Sequence, residues 1–412
     1  VSAANSPPER REQQATRRSR RGNGSETRLG QPRPVDLAPL DGFVVGVTAD
    51  RRVEEQTELL RRRGAVVLHG PAIATDYLVD DEPLREATAA VIEARPRVLL
   101  ATTGIGMRAW FEAAQTWGVA DDLLDALAET TVLARGSKAA SAVVGAGLTV
   151  AATAPDERLA SLVSMAADRL QPGDRVVVQC HGGDSDGVFD ALRRAADHPP
   201  LEVVVYRWRL PDDRGPALRL VEEAAAGRVD ALTFTSAPAA ANLIGIAREA
   251  GLDDALRRSP AALVCIGPVC AEAVEALGFP APLVARPARL GGMIRVLSEH
   301  LTARRREWDV DGIPVVAQGR TLAIGDRRVS LSPRERAVFD VLAERPGVVV
   351  PRVLLRRAAW PGEDIGEHVI EVTMTRMRRK LGTLGAAVQA VPRRGYRLVV
   401  APDPALPTST PA

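Results

Sequence analysis

The sequence predicts an α/β protein: two parallel-sheet lobes of similar build, then a small basic domain of helices closed by a β-hairpin. Three observations carry this. From residue 43 short β-rich runs alternate with amphipathic stretches of about ten to fifteen residues, the pattern of parallel sheets covered on both faces. The stretch Val98–Thr103 leads through a helix to Leu133–Gly136 and a second helix ending at Gly147, and Ala231–Ser236 repeats that order through Val264–Gly267 to Gly278. Charge is divided: residues 320–400 hold 16 Lys and Arg against 8 Asp and Glu, whereas residues 41–301 hold 27 against 36. A basic block beside an acidic body points to nucleic acid at the C-terminal end.

The elements follow in order. Residues 1–40 are rich in Arg, Ser, Pro, Gly and Gln with no apolar period, and read as a disordered tail. Strands are expected at Val44–Val47, Ala65–Leu68, Val98–Ala101, Thr131–Ala134, Thr149–Ala151, Arg175–Gln179, Val203–Tyr206, Ala231–Thr235, Ala262–Ile266 and Leu283–Ala285. Residues 41–73 with 207–301 are expected to form one lobe, and 76–203 the other. Residues 302–319, with Arg304–Arg306, Gly312 and Pro314, read as a linker. The basic domain is expected over 320–400, and 401–412 as a Pro/Ser/Thr-rich disordered tail.

Several classes are excluded. No apolar run reaches the roughly 18–20 residues that span a bilayer, and the Arg-rich start is no secretory signal. A cytoplasmic location without membrane contact is expected. The three cysteines, Cys180, Cys265 and Cys270, make no disulfide framework, and no Cys/His set has zinc-ligand spacing. Neither a metal nor a cofactor is called for.

In the basic domain Ser332-Pro-Arg-Glu335 starts a helix: Ser332 caps, Pro333 fits the first turn and Glu335 reaches back. That helix stops at Pro346-Gly347, and a second follows Pro351. A third, over about 366–381, lines Ile370, Met374, Met377 and Leu381 on one apolar stripe. Val369, Thr373, Arg376 and Lys380 repeat the spacing on a neighbouring stripe, and Arg378 and Arg379 add charge at its end. A hairpin, Val388–Val391 and Tyr396–Val400, carries Pro392-Arg-Arg-Gly395 at its tip. A basic helix beside an Arg-tipped hairpin suits a helix in the major groove and a wing on the backbone.

The pattern Leu331-Ser-Pro-Arg-Glu335, Val349-Val-Pro-Arg352, Ile370-Glu-Val, Arg376-Met-Arg-Arg-Lys-Leu381 and Arg394-Gly-Tyr-Arg397 resembles the winged helix-turn-helix of OmpR/PhoB-type regulators. The resemblance implies that Thr373, Arg376 and Arg378 occupy recognition-helix positions, with Val369 and Arg379 beside them, and that Arg393 and Arg394 lie in the wing. Thr375 stands where Arg is frequent, so base preference does not carry over. The usual receiver partner is not supported: the first strand ends Thr48-Ala-Asp50, without an acidic pair.

Residues 41–301 resemble uroporphyrinogen-III synthase (HemD). The segments are Val45-Gly-Val-Thr48, Leu59-Leu60, Gly64-Ala-Val66, Thr102-Thr-Gly104, Trp110-Phe111, Phe234-Thr-Ser236 and Ile266-Gly-Pro-Val-Cys-Ala-Glu-Ala-Val-Glu-Ala-Leu-Gly278. The resemblance implies two lobes joined by two crossing strands, and a reaction that closes hydroxymethylbilane while inverting its last ring. Tyr206 matches the tyrosine that assists departure of the substrate hydroxyl in that family; otherwise it is a linker-strand aromatic between lobes. Thr-Gly-Ile-Gly stands in place of a Ser-x-Asn-Gly type of loop, and Cys270 where Thr is common.

Backbone N–H groups at helix starts can hold carboxylates, and ligands bind past strand ends in open α/β sheets. The candidates are Thr103, Gly104, Gly136, Ser137, Gly182, Gly183, Ser236 and Gly267; taken singly, each glycine also reads as a tight turn. His181 reads as a titratable group or an ordinary loop histidine.

The sequence therefore implies a DNA-binding regulator with a ligand-sensing, HemD-like body. Fused proteins of this build are associated with control of nitrate and nitrite assimilation. An active synthase with a DNA-binding appendage, or a body that docks another protein, are the alternatives. Expected partners are promoter DNA, a tetrapyrrole-like ligand, RNA polymerase or another regulator, and a second copy on DNA.

Overall fold

The structure is a computed structural model that describes residues 36–180, 187–310 and 312–399. The chain opens one lobe with β1 (Val44–Val47) and β2 (Val66–His69), then crosses on β3 (Ala74–Tyr77). It builds the second lobe from β4 (Val98–Ala101), β5 (Thr131–Ala134), β6 (Val150–Thr153), β7 (Val176–Cys180) and β8 (Leu201–Val204). It returns on β9 (Tyr206–Arg209) and completes the first lobe with β10 (Ala231–Phe234), β11 (Ala262–Cys265) and β12 (Leu283–Val284).

The first sheet runs β12-β11-β10-β1-β2 and the second β6-β5-β4-β7-β8, every pairing parallel. Strands β1, β4 and β10 are buried along their whole length, because helices cover both faces. Strand order reverses between β1 and β10 in one lobe and between β4 and β7 in the other. The crevices past the carboxyl ends of those strands are where such sheets take ligands. Strands β3 and β9 form a separate antiparallel ribbon with Tyr77 opposite Tyr206 and Thr75 opposite Trp208. The strand expected over Val203–Tyr206 is thus two, parted at Val205, where the chain leaves the sheet for the ribbon.

Helix packing explains two glycines. The helix Gly104–Thr116 lies against the helix Ser137–Gly145 so closely that a Cβ on Gly104 would sit 2.3 Å from the Lys138 carbonyl oxygen. A Cβ on Gly106 would sit 2.1 Å from Gln179 Nε2. Trp110 is fully buried and satisfies its indole N–H on Thr88 Oγ1 at 2.9 Å. All three cysteines are buried, and desolvation, then the Glu202 carboxylate, push the Cys180 thiol up to about 12.

The C-terminal domain begins earlier than its charge suggests. Residues 302–319 are not a linker: they hold β13 (Arg306–Val310) and β14 (Ile313–Gln318), which pair antiparallel and continue into β15 (Thr321–Ile324) and β16 (Arg327–Ser330). Glu307 and Asp309 face water while Trp308 and Val310 turn inward, a half-buried strand whose charges mask its period. Residues 36–40 likewise are not tail, since Leu37 and Leu40 are buried; residues 1–35 and 400–412 lie outside the described residues. Helices Pro333–Glu344, Arg352–Ala359 and Glu367–Leu381 follow, then the hairpin β17 (Val388–Val391) and β18 (Gly395–Leu398). Ile370, Met374, Met377 and Leu381 are all buried against this domain's core. No helix among the described residues is long and apolar enough to cross a membrane.

The capping box at Ser332 is formed, Ser332 Oγ accepting from the Glu335 N–H at 3.3 Å and Glu335 Oε2 from the Ser332 N–H at 2.7 Å. Lys380, on the third helix, adds an ion pair to Glu335 at 2.6 Å. Burial pushes the Glu335 carboxyl up, but Lys380 and the Ser332 donors outweigh it and hold the group below its ordinary value of 4.5. A depressed acid stabilises the fold above its unfolded value and loses that contribution as pH falls through its folded value. Lys380→Met strands a buried carboxylate, and should cost about 1–3 kcal/mol at pH 7. The urea midpoint of the wild type should approach that of the variant below pH 4.5; a gap that stays constant with pH would exclude this pair as the cause.

Candidate functional site

The cleft between the lobes is built from strand ends. Past β1, Thr48 Oγ1 donates to the Thr233 carbonyl at 2.8 Å and Gln56 Nε2 to Thr233 Oγ1 at 2.8 Å, which pins the loop to β10. This loop presents Arg51 and Arg52. Arg52 is paired with Glu55 at 2.6 Å, and the Arg51 guanidinium lies 5.9 Å over the Tyr206 ring.

Tyr206 is 1% exposed. Its hydroxyl donates to Thr103 Oγ1 at 3.3 Å, and Thr103 caps the helix Gly104–Thr116 by accepting from the Gly106 N–H at 3.1 Å. The buried Gln179 carboxamide holds this group in place. Its Oε1 accepts from the Thr103 N–H at 3.0 Å and lies 3.3 Å from Thr103 Oγ1, while its Nε2 donates to the Cys180 carbonyl at 2.9 Å. Burial raises the Tyr206 phenol; the Thr103 hydrogen bond and the Arg51 and Arg135 charges only partly oppose this. The group is therefore a neutral proton donor.

Cations face this point from both lobes. Desolvation lowers Arg135, just past β5, with Tyr206 and Glu157 opposing. Desolvation also lowers Lys138, as do the charges of Arg52, Arg289 and Arg51, against the one opposing acid Glu157. Arg51, Arg52 and Arg289 belong to the first lobe, and Arg135 and Lys138 to the second. The Arg158–Glu272 ion pair crosses from one lobe to the other.

The other sequence candidates fall at helix starts around the same cleft. Gly136 precedes the helix Ser137–Gly145 with Glu157 beside it, and Ser137 is exposed in its first turn. Ser236 caps the helix Ala237–Glu249, accepting from the Ala239 N–H at 3.4 Å. Gly267 is buried before Pro268, which has no N–H to offer. Gly104 is committed to helix packing. Gly182, Gly183 and His181 lie outside the described residues. Sequence reasoning missed the five cations, Glu157 and Gln179, although Arg51, Arg135 and Lys138 follow strand ends as the chosen Thr, Ser and Gly do.

The second surface is the third helix with the hairpin. Val369, Arg376 and Arg379 are exposed on the helix and Thr373 half-exposed, its hydroxyl donating to the Val369 carbonyl at 2.9 Å. Arg393, at φ 57° in the turn, and Arg394 are exposed on the hairpin. Among the described residues no ion pair ties down Arg376, Arg379, Arg393 or Arg394. Arg378 is placed differently: its Nε donates to the Val388 carbonyl at 2.8 Å and its guanidinium lies 5.7 Å over the Tyr396 ring. It fastens the hairpin to the helix. Gly395, at φ +136°, passes so close to Val350 that a Cβ would lie 2.0 Å from its carbonyl oxygen. Arg356 and Arg357, exposed on the second helix, extend the basic surface.

Known proteins resemble both parts. The model of the family described as uroporphyrinogen-III synthase HemD matches residues 54–295, and that described as transcriptional regulatory protein, C terminal, matches residues 326–398. An uncharacterized protein of Bacillus subtilis, YjjA, is 25% identical over 262 residues, which are 63% of this chain and 96% of that protein. The transcriptional regulatory protein CutR of Streptomyces coelicolor is 36% identical over 88 residues, 21% of this chain and 40% of CutR, so that likeness is confined to the DNA-binding end. A mutant uroporphyrinogen III synthase from the extremely thermophilic bacterium Thermus thermophilus superposes with a TM-score of 0.53 at 30% identity, covering 64% of this chain and all of that one. With the synthase model matched over more than half of its length, the chain belongs to the uroporphyrinogen-III synthase HemD family, and it carries at its C-terminal end the winged-helix domain of OmpR/PhoB-type regulators.

Proposed function

We propose that this protein is a transcription regulator whose HemD-like body senses a tetrapyrrole-like polycarboxylate. The observation that carries the reading is the set Arg51, Arg52, Arg289, Arg135 and Lys138, drawn from both lobes around the neutral phenol of Tyr206, in which Glu55 pairs with Arg52 and Glu157 opposes Lys138. Like charges on opposed walls repel, so a polyanion between them favours the closed arrangement, and it shifts the equilibrium only by its difference in affinity for the two states. The exposed arginines of the third helix and hairpin supply the DNA contacts, with paired half-sites read by a dimer. RNA polymerase or another regulator is the partner at the promoter.

The Tyr206–Thr103 pair favours a second reading, an active synthase, with the phenol donating a proton to the departing hydroxyl of hydroxymethylbilane. Uroporphyrin III titrated into the full chain should bind under both readings. Conversion of hydroxymethylbilane to uroporphyrinogen III, abolished by Tyr206→Phe, would establish the second; binding without turnover leaves the sensor, and neither would leave a body that docks protein.

On DNA, Arg376→Ala should lose about 1–3 kcal/mol of specific affinity, or about one unit of salt slope if it meets a phosphate. Measured by fluorescence anisotropy across a salt series, unchanged affinity and slope would remove Arg376 from the interface.

The proposed targets are nitrate and nitrite assimilation genes. Assimilatory nitrite reductases use sirohaem, which derives from uroporphyrinogen III, so a tetrapyrrole sensor reports on supply of the cofactor. A deletion strain should grow poorly on nitrate as sole nitrogen source and normally on ammonium; equal growth on both would discard this assignment.

A further inference from the structure

The winged-helix domain is joined to the first lobe twice. Covalently, the helix Leu290–Thr302 runs into β13. The second connection comes from the other end of the sequence. Residues 36–43 pass between the lobe and the four-stranded antiparallel sheet. On one side Leu40 and Phe43 enter the core of the lobe, the Leu40 N–H donates to the Arg63 carbonyl at 2.7 Å, and Thr302 Oγ1 donates to the Pro39 carbonyl at 3.2 Å. On the other side Leu37 packs with Val316 and Ala323.

Polar contacts to the sheet are dense. Gln318 is 1% exposed, and its Nε2 donates to the carbonyls of Ala38 at 2.7 Å and Asp41 at 3.1 Å. The Arg320 N–H donates to the Gly42 carbonyl at 2.7 Å. Arg328 pairs with Asp41 at 3.2 Å and donates to the Asp36 carbonyl at 2.8 Å. The Arg320 guanidinium reaches the Arg228 carbonyl of the lobe. Backbones touch where both residues are glycine: a Cβ on Gly319 would lie 2.3 Å from the Gly42 carbonyl carbon. Buried hydrogen-bonding groups that find partners only across a junction favour one docked arrangement, because separation leaves them to be resolvated one by one.

This junction lies at the starts of the two central strands whose ends form the cleft. Residues 36–43 run directly into β1, which carries Arg51 and Arg52 just past its far end. Asp230, at the start of β10, accepts from the Val44 N–H at 2.7 Å and faces the charges of Arg320, Arg304 and Arg336. Strand β10 ends toward Ser236. Four residues of strand span about 13 Å, so two short, fully buried strands separate the cleft from the docked domain.

We propose that residues 36–43 are an interdomain clamp that holds the winged-helix domain on the first lobe in one orientation, with the third helix outward, and that β1 and β10 carry strain between the cleft and this clamp. The transmission step rests on the ligand-sensing reading; the clamp does not. The clamp is a cross-strap of the chain's own N-terminal segment, and Gln318 and Arg328 are its keys.

Hydrogen exchange on the full chain tests both parts. In the wild type the Arg320 and Leu40 amides should be protected, and small-angle scattering should give one compact envelope. In Gln318→Ala/Arg328→Ala, exchange at Arg320 should accelerate at least about tenfold while β4 amides stay unchanged, which separates undocking from unfolding. The single variant Arg328→Ala, altered only at the surface, should show the same effect in smaller degree. An unprotected Arg320 amide in the wild type, or a scattering profile of widely spaced domains, would overturn the clamp. Uroporphyrin III is the probe for transmission. If it binds and shifts DNA affinity in the wild type but not in the double variant, the clamp carries the signal. If it shifts DNA affinity equally in both, transmission through the clamp is wrong although sensing stands. If it does not bind, the sensing reading fails and the clamp stands or falls on the exchange data alone.

Discussion

The antiparallel pairing of β3 with β9 is the constraint on which the body depends. The second lobe is an insertion into the first, so the chain has to leave and re-enter at neighbouring points. Pairing the exit strand with the return strand satisfies their backbone groups between lobes, where neither parallel sheet can reach them. It also sets the cleft. Tyr206 begins the return strand, and opposite Tyr77 it is held with its ring near Trp208 and its hydroxyl on Thr103 of the second lobe. The Tyr206 ring is thus placed by the ribbon, with Tyr77 6.4 Å away, and its hydroxyl by Thr103 at the end of the second lobe's sheet.

Electrostatics then divides the molecule. The body is acidic overall, yet the crevice walls are cationic because the positive residues follow strand ends and helix starts, the places where the folds of both lobes converge. The partial positive charge of helix N-termini adds to this field. Neutralisation within the cleft is sparse: Arg52 is compensated by Glu55 and the opposing acid near Lys138 is Glu157. Such an unbalanced charge set is the feature that favours an anionic ligand in the proposed function.

Local periodicity made most of the architecture legible. The runs Val98–Ala101 and Ala231–Phe234 announced buried parallel strands, and Ser332-Pro-Arg-Glu335 announced a capped helix, because each is written in consecutive residues. The opposite cases share a cause. In Glu307-Trp-Asp-Val310 the solvent-facing acids hid a period of two, and before Phe43 two isolated leucines, Leu37 and Leu40, carried the sign of the clamp. Arg378 sits among exposed arginines in sequence, but Tyr396 and the Val388 carbonyl, which claim it, are contributed by the hairpin. The cleft cations come from separate strand ends of both lobes, so proximity in space had no counterpart in spacing.

These features bear on how a cleft can govern a distant helix. The clamp makes the first lobe and the winged helix one body, with Val369, Arg376 and Arg379 exposed on the third helix. Closure that merely brought the second lobe nearer would leave Arg376 and the hairpin where they are. Under the proposed sensing function, a ligand would have two physical routes to DNA affinity. It can bring the acidic second lobe against the duplex, which repels it, or it can load the walls through Arg51 and Arg52 and strain β1 at its other end. The first route acts at long range and weakens with salt. The second acts through packed backbone and does not, so the salt dependence of ligand control distinguishes a steric and electrostatic shield from a mechanical linkage.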